Sequence, residues 1–197
     1  EEYRARTGAD ASALEAFRLA DSYRLSAEGI EAALKSAMPD SQRVSLQQTR
    51  KQRLDLALSI YDEAAAALDV LPHRSPAEEL RLRNAKLYRG DCAFGLGDYD
   101  AAIRYYDAAR DAYPKDPASL VAMVQIVAAL IAQGKNEEAA TANTRARRFY
   151  ASLPETVWDD PTIPMNRRQW ESWLDAQSRL VPAVSSTASA PSGDDGR

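Results

Sequence analysis

The sequence contains one cysteine, Cys92, and one histidine, His73. That scarcity removes intrachain disulfides, Cys/His zinc sites and any Cys–His nucleophilic couple together. It also has no phosphate-binding Gly-rich loop ending in Lys-Ser/Thr, no Gly-x-Ser-x-Gly elbow and no His-Glu-x-x-His. The usual parts for nucleotide, acyl and metal-assisted hydrolysis are therefore missing, and nothing implies a cofactor or a metal. The longest apolar run, Leu120 to Ala132, is broken by Gln125 and falls short of the roughly 20 residues a bilayer span needs. Charge of one sign is not in excess either. Twenty-five basic and 29 acidic residues are mixed along the chain for a net −4, so no global field favours nucleic acid or an anionic membrane. No charged stretch followed by an apolar one opens the chain and residue 1 is Glu1, which reads as a processed or excised piece of a longer protein.

Alanine, leucine, glutamate, arginine and glutamine abound, and β-branched residues gather only between Leu120 and Ile131. That composition favours helix over strand. Asp10, Ser12 and Glu15 offer cap chemistry ahead of Ala16, Ala20, Tyr23, Ala27, Ile30 and Leu34, whose spacing predicts a long amphipathic helix ending before Pro39. A second long helix follows Asp40-Ser41, carries Leu54, Leu58, Tyr61, Ala65 and Leu68, and breaks at Leu71-Pro72. Ser75-Pro76-Ala77-Glu78 supplies an N-cap, a first-turn proline and a capping-box acid for a third, which Gly95-Leu96-Gly97 stops. A fourth helix places Tyr99, Ala102, Ile103, Tyr106, Ala109 and Tyr113 on one face and stops at Pro114. A fifth runs from Asp116-Pro117 to Gly134, and a sixth from Asn136 to Pro154. Pro161 and Pro164 predict an ordered loop over Glu155 to Met165. Asn166-Arg167-Arg168-Gln169 then caps a last helix holding Trp170, Trp173, Leu174 and Leu180. From Pro182 onward, Ser, Thr, Ala, Pro, Gly and Asp dominate, which reads as a disordered tail.

Two helix pairs share one layout: helix, glycine turn, helix, then proline. The first is Gly90 … Gly97-Asp98-Tyr99-Asp100-Ala101-Ala102-Ile103 … Tyr106 … Ala109 … Pro114, and Gly134-Lys135-Asn136-Glu137-Glu138-Ala139 … Asn143 … Ala146 repeats it more weakly. This pattern resembles the tetratricopeptide repeat. The turn glycines are 37 residues apart against a family period of about 34, which places a short insertion between Tyr113 and Leu120. The earlier pair matches only through Ala57, Tyr61 and Ala64, lacks a glycine turn and has longer helices. The resemblance implies an all-α solenoid of about seven helices with a C-terminal capping helix. Its parts are a long atypical hairpin over 1–72, two repeats over 75–154, a loop and capping helix over 155–181, and the tail over 182–197. The Arg-Arg-Gln-Trp-Glu-Ser-Trp-Leu end also resembles the C-terminal part of certain bacterial membrane-anchored repeat proteins, whose anchor lies far upstream.

The resemblance further implies a non-catalytic scaffold that binds a protein or peptide, with the first helix of each repeat lining the groove. Aligned on Gly97, the groove positions are Asn84, Leu87, Tyr88, Asp91 and Phe94; aligned on Gly134 they are Val121, Val124, Gln125, Ala128 and Ile131. The basic residues with which some members clamp a peptide's terminal carboxylate are absent. An almost wholly apolar fifth helix must be covered on every side, by the N-terminal helices, the C-terminal helix or a partner helix lying in the groove. Two other readings stay open. One is self-association through the groove or through Trp158, Trp170 and Trp173, which otherwise fasten the last helix over the end of the stack. The other is nucleic-acid or acidic-partner binding through Arg145, Arg147, Arg148, Arg167 and Arg168, which otherwise form a solvated face. Cys92 reads as a buried small hydrophobe, and the pairs Glu78-Glu79 and Glu137-Glu138 as first-turn acids favoured by the helix dipole.

Overall fold

The computed structural model describes the backbone of residues 2–159 and 165–180, and the side chains of 12–158 and 165–176. Among the described residues there are seven α-helices and no strand: α1 (Glu2–Leu34), α2 (Asp40–Asp69), α3 (Pro76–Gly95), α4 (Tyr99–Ala112), α5 (Ala118–Ala132), α6 (Asn136–Ser152) and α7 (Arg167–Leu180). Each packs chiefly on the next, and α1 also touches α3. That is the contact pattern of a solenoid, in which a helix pair has an apolar face that only a neighbouring pair can cover. The predicted start of α1 at Asp10 and Ser12 is wrong, because the helix is continuous from Glu2. No proline interrupts that stretch, so Asp10 and Ser12 stand inside a helix rather than at its cap. The expected loop over Glu155 to Met165 holds a 3-10 turn at Glu155–Asp159. Its remainder at 160–164, like the tail expected at 182–197, lies outside the described residues.

Helix ends follow local chemistry closely in the middle of the chain. Ser75 accepts from the Glu78 N–H while Glu78 accepts from the Ser75 N–H, a complete capping box with Pro76 in the first turn. Asp98 caps α4 through the Ala101 N–H at 2.9 Å, and Asn166 and Gln169 cap α7 reciprocally at 2.9 and 3.0 Å. The ends of α3 and α5 are the same device. Gly97 (φ 81°) and Gly134 (φ 73°) adopt left-handed backbone. The next N–H reaches back to Ala93 and to Leu130 respectively, as in a Schellman motif.

The core divides along the stack. One cluster joins α1, α2 and α3 through Ala13, Ala20, Ala27, Leu54, Tyr61, Leu68 and Cys92. A second joins α3 to α6 through Ala102, Tyr106, Ala122, Val127 and Ala139. In the third, Trp170 and Leu174 of α7 cover Leu120, Val124 and Ala146. Small residues set the helix spacing. A Cβ on Gly90 would lie 2.4–2.7 Å from the Tyr106 ring, so only glycine lets α4 place that ring against α3.

The first hairpin obeys the same rule in stretched form. Ala20 is fully buried and is followed by Asp21, which accepts a hydrogen bond from the fully buried Tyr61 of α2 at 2.8 Å. Gly90 is likewise followed by Asp91, which accepts from Tyr106 of α4 at 2.6 Å. The small residue and its tyrosine are 41 positions apart in the first hairpin and 16 in the second. The extra chain lengthens α1 and α2 around a displaced turn. In the third pair the equivalent positions hold Val127, Ala128 and Asn143, so the tyrosine and its carboxylate are replaced together.

Candidate functional site

The first helices of successive pairs, α1, α3 and α5, bound an open cleft of about 580 Å³, closed at one end by the turn of the second pair. Its walls come from Arg24, Glu28 and Glu31 of α1, Arg50 and Leu54 of α2, Asp91 and Phe94 of α3, Tyr99 and Tyr106 of α4, and Gln125 of α5. Five helices contribute because α1 and α2 outlast their partners and stand beside the Gly95–Gly97 turn. Arg50 fastens that arrangement. It donates to the Gly95 carbonyl at 2.7 Å and pairs with Glu31 at 2.5 Å.

Arg24 is the hub of the α1 wall. Its guanidinium lies 4.2 Å from the centroid of the Tyr88 ring. It pairs with Asp21 at 2.9 Å and Glu28 at 2.5 Å, and donates to the Tyr61 hydroxyl at 3.2 Å. Tyr88 in turn packs on Phe17 and Tyr61, at centroid distances of 6.3 and 5.6 Å. On the opposite wall Phe94 meets Tyr99 edge-on at 5.2 Å. Asp91 also lines the cleft, and burial holds its carboxyl above the ordinary aspartate range against the opposing pull of the Tyr106 hydroxyl and of Arg24.

The groove positions read from the sequence separate into three groups. Asp91, Phe94 and Gln125 line the cleft. Leu87 and Val124 are 8% and 3% exposed; Leu87 belongs to the core between α3 and α6, and Val124 lies under α7 with Val121 alongside. Asn84, Ala128 and Ile131 are half-buried outside the cleft lining, and Tyr88 lies under Arg24. The open part is therefore polar and aromatic rather than broadly apolar. Arg24, Glu28, Glu31 and Arg50 escaped the sequence reading because their placement depends on how the long hairpin stacks.

A second cleft, of about 490 Å³, lies between α4, α5 and α6. Ile103, Met123, Ile126 and Leu130 form its floor, with Glu137, Glu138 and Arg145 on the rim. Its only advance sign was the apolar girth of α5. The other arginines singled out are dispersed: Arg147 pairs with Asp175 at 2.7 Å, and Arg167 is engaged by Glu155 and Glu171. Trp170 is fully buried, and Trp158 and Trp173 pack half-buried around it. Cys92 is buried and reduced, its thiol pushed up to about 12 by burial. Among the described residues, no group of His, Cys, Asp and Glu is arranged to hold a metal, and no helix is long and apolar enough to cross a membrane.

Paired helices stacked in register, glycine turns and an open face on the first helices define a helical-repeat protein. Residues 81–152 match the tetratricopeptide repeat family, and that segment, α3 to α6, belongs to it. No curated protein and no solved structure matched the chain. Repeats of this family mediate protein–protein interaction.

Proposed function

We propose that this chain is a non-catalytic adaptor module that holds a helix or extended segment of another protein in the cleft between α1, α3 and α5. The observation that carries the reading is the cleft itself. It is open, it lies on the first-helix face, and Asp91, Phe94 and Gln125 line it from two neighbouring repeats. Walls of mixed polarity suit a peptide, whose backbone needs hydrogen-bond partners and whose side chains need apolar contact. The long hairpin adds a third wall, so that a segment bound there would touch three helix pairs at once.

The test is affinity capture with the whole chain from its source cells, comparing wild type with Gln125→Trp, which fills the cleft, and Arg104→Glu, which changes an exposed residue of α4. The reading expects a partner that Gln125→Trp loses and Arg104→Glu keeps. Equal recovery by all three proteins would move the interaction elsewhere on the molecule.

A further inference from the structure

The charges of the cleft do not cancel. Glu28, Glu31 and Asp91 face Arg24 and Arg50. Arg24 is matched by Glu28 and Arg50 by Glu31, each at 2.5 Å, which leaves Asp91 in the field of Arg24 but without a direct ion-pair partner among the described residues. One of its oxygens accepts from the Tyr106 hydroxyl, and no donor among the described residues pairs with the other. A buried carboxylate with an open coordination site is costly to desolvate unless something cationic arrives. Arg24 is also oriented away from that task by its contacts to Asp21, Glu28 and Tyr88. Phe94 and Tyr99 supply flat apolar walls beside Asp91, suited to the stem of a long side chain whose charged head lies deeper.

We propose that the partner segment is anchored by a single basic side chain, lysine or arginine, which enters the cleft between Phe94 and Gln125 and pairs with the free oxygen of Asp91. The proposal rests on the adaptor reading of the same cleft and adds the chemistry of its occupant. Asp91 then acts as the selective contact. A neutral side chain of equal length leaves the carboxylate unpaired, and an acidic one adds repulsion from Asp91 and Glu28. The ion pairs at Arg24 and Arg50 keep the remaining wall charges from competing for the incoming cation.

The probes are three acetylated, amidated tripeptides, Leu-Arg-Leu, Leu-Gln-Leu and Leu-Glu-Leu, titrated into the isotope-labelled whole chain while backbone amide shifts are followed. The arginine peptide is expected to shift the amides of Asp91, Phe94 and Gln125 and to bind more than about ten-fold tighter than the other two. Asp91→Asn should erase that preference. Gln125→Lys, which supplies its own ammonium beside Asp91, should erase it too and serves if the first variant is not folded. Equal binding of the arginine and glutamine peptides at these amides overturns the basic anchor while leaving the adaptor reading standing. So does the absence of any arginine-peptide shift there when partner capture is still lost in Gln125→Trp. Capture insensitive to Gln125→Trp brings down the adaptor reading and the anchor with it.

Discussion

Gly90 and Tyr106 share one space: a single methyl group on Gly90 would overlap the tyrosine ring at 2.4–2.7 Å, and the ring is held in place by its hydroxyl bond to Asp91, the residue after Gly90. One helix thus supplies both the gap that admits the ring and the acceptor that fixes it. Because Asp91 also lines the cleft, the packing of the second repeat and the chemistry of its open face meet at adjacent residues.

Gly90→Ala should therefore destabilise the chain, although alanine is the better helix former by about 1 kcal/mol. A tethered ring cannot swing aside, and overpacking of this kind costs about 1–3 kcal/mol net of such gains. Urea denaturation followed by far-UV circular dichroism checks the sign; an unchanged or raised midpoint contradicts the close approach.

Gly97→Ala and Gly134→Ala test the turns rather than the packing, since open space surrounds both positions. Each forces a side chain into left-handed backbone and should cost about 1 kcal/mol. Gly29→Ala, inside α1 with nothing within 4 Å, should instead stabilise slightly.

Asp91→Asn should raise the melting temperature near neutral pH. Burial raises the folded-state pKa of Asp91, so its contribution to stability is full below the unfolded-state value and is lost as pH rises through the folded one. Asparagine still accepts from Tyr106 and never ionises. The advantage of the variant over wild type should vanish in acid below the ordinary aspartate pKa. The comparison is drawn between the two proteins at each pH because Glu79 and Glu171 have lowered pKa values, held down chiefly by Arg74 and by Tyr150 with Arg167, and act in the opposite direction.

Trp170→Ala should release α7 while the repeats remain folded. The fully buried indole is the main apolar bond of α7 to the stack, and losing a buried aromatic costs about 3–5 kcal/mol. In a solenoid that loss stays local. Hydrogen exchange should become fast in α7 and remain slow in α3 and α5; uniform loss of protection contradicts a capping role.

Cys92 should resist thiol reagents in the native chain, because burial both blocks access and pushes the thiol up to about 12. A disulfide reagent should titrate it only after denaturant is added. Rapid reaction in buffer would contradict the packing of α3 on α2.

The sequence showed the second and third helix pairs plainly, because Gly97, Gly134, Ser75 and the spacing of Ala102, Tyr106 and Ala109 act within a few residues of one another. Seven helices and a stacked fold followed from such local signals. The first hairpin was harder to read. Tyr61 was legible as the counterpart of Tyr106, but its partners Ala20-Asp21, the counterparts of Gly90-Asp91, lie about 41 positions upstream with no glycine at the turn, so a fixed-period comparison passes over them. At the cleft, alignment on the turns named Asp91, Phe94 and Gln125 as groove positions, and these three are among the residues that line it. The same alignment placed Leu87 and Val124 on the open face, where the structure buries them in the core and under α7. Periodicity specifies which side of a helix a residue occupies; it does not specify whether a later helix will cover that side. Arg24, Glu28, Glu31 and Arg50 join the cleft only through stacking of the extended hairpin, a long-range relation with no local signature.

The most direct test of the central claim is hydrogen exchange of the whole chain with and without the partner obtained by capture. The account predicts added protection along the cleft, in α1 around residues 24–31, in α3 around 88–97 and in α5 around Gln125. Protection confined to α4 and α6, with those three segments unchanged, would contradict it.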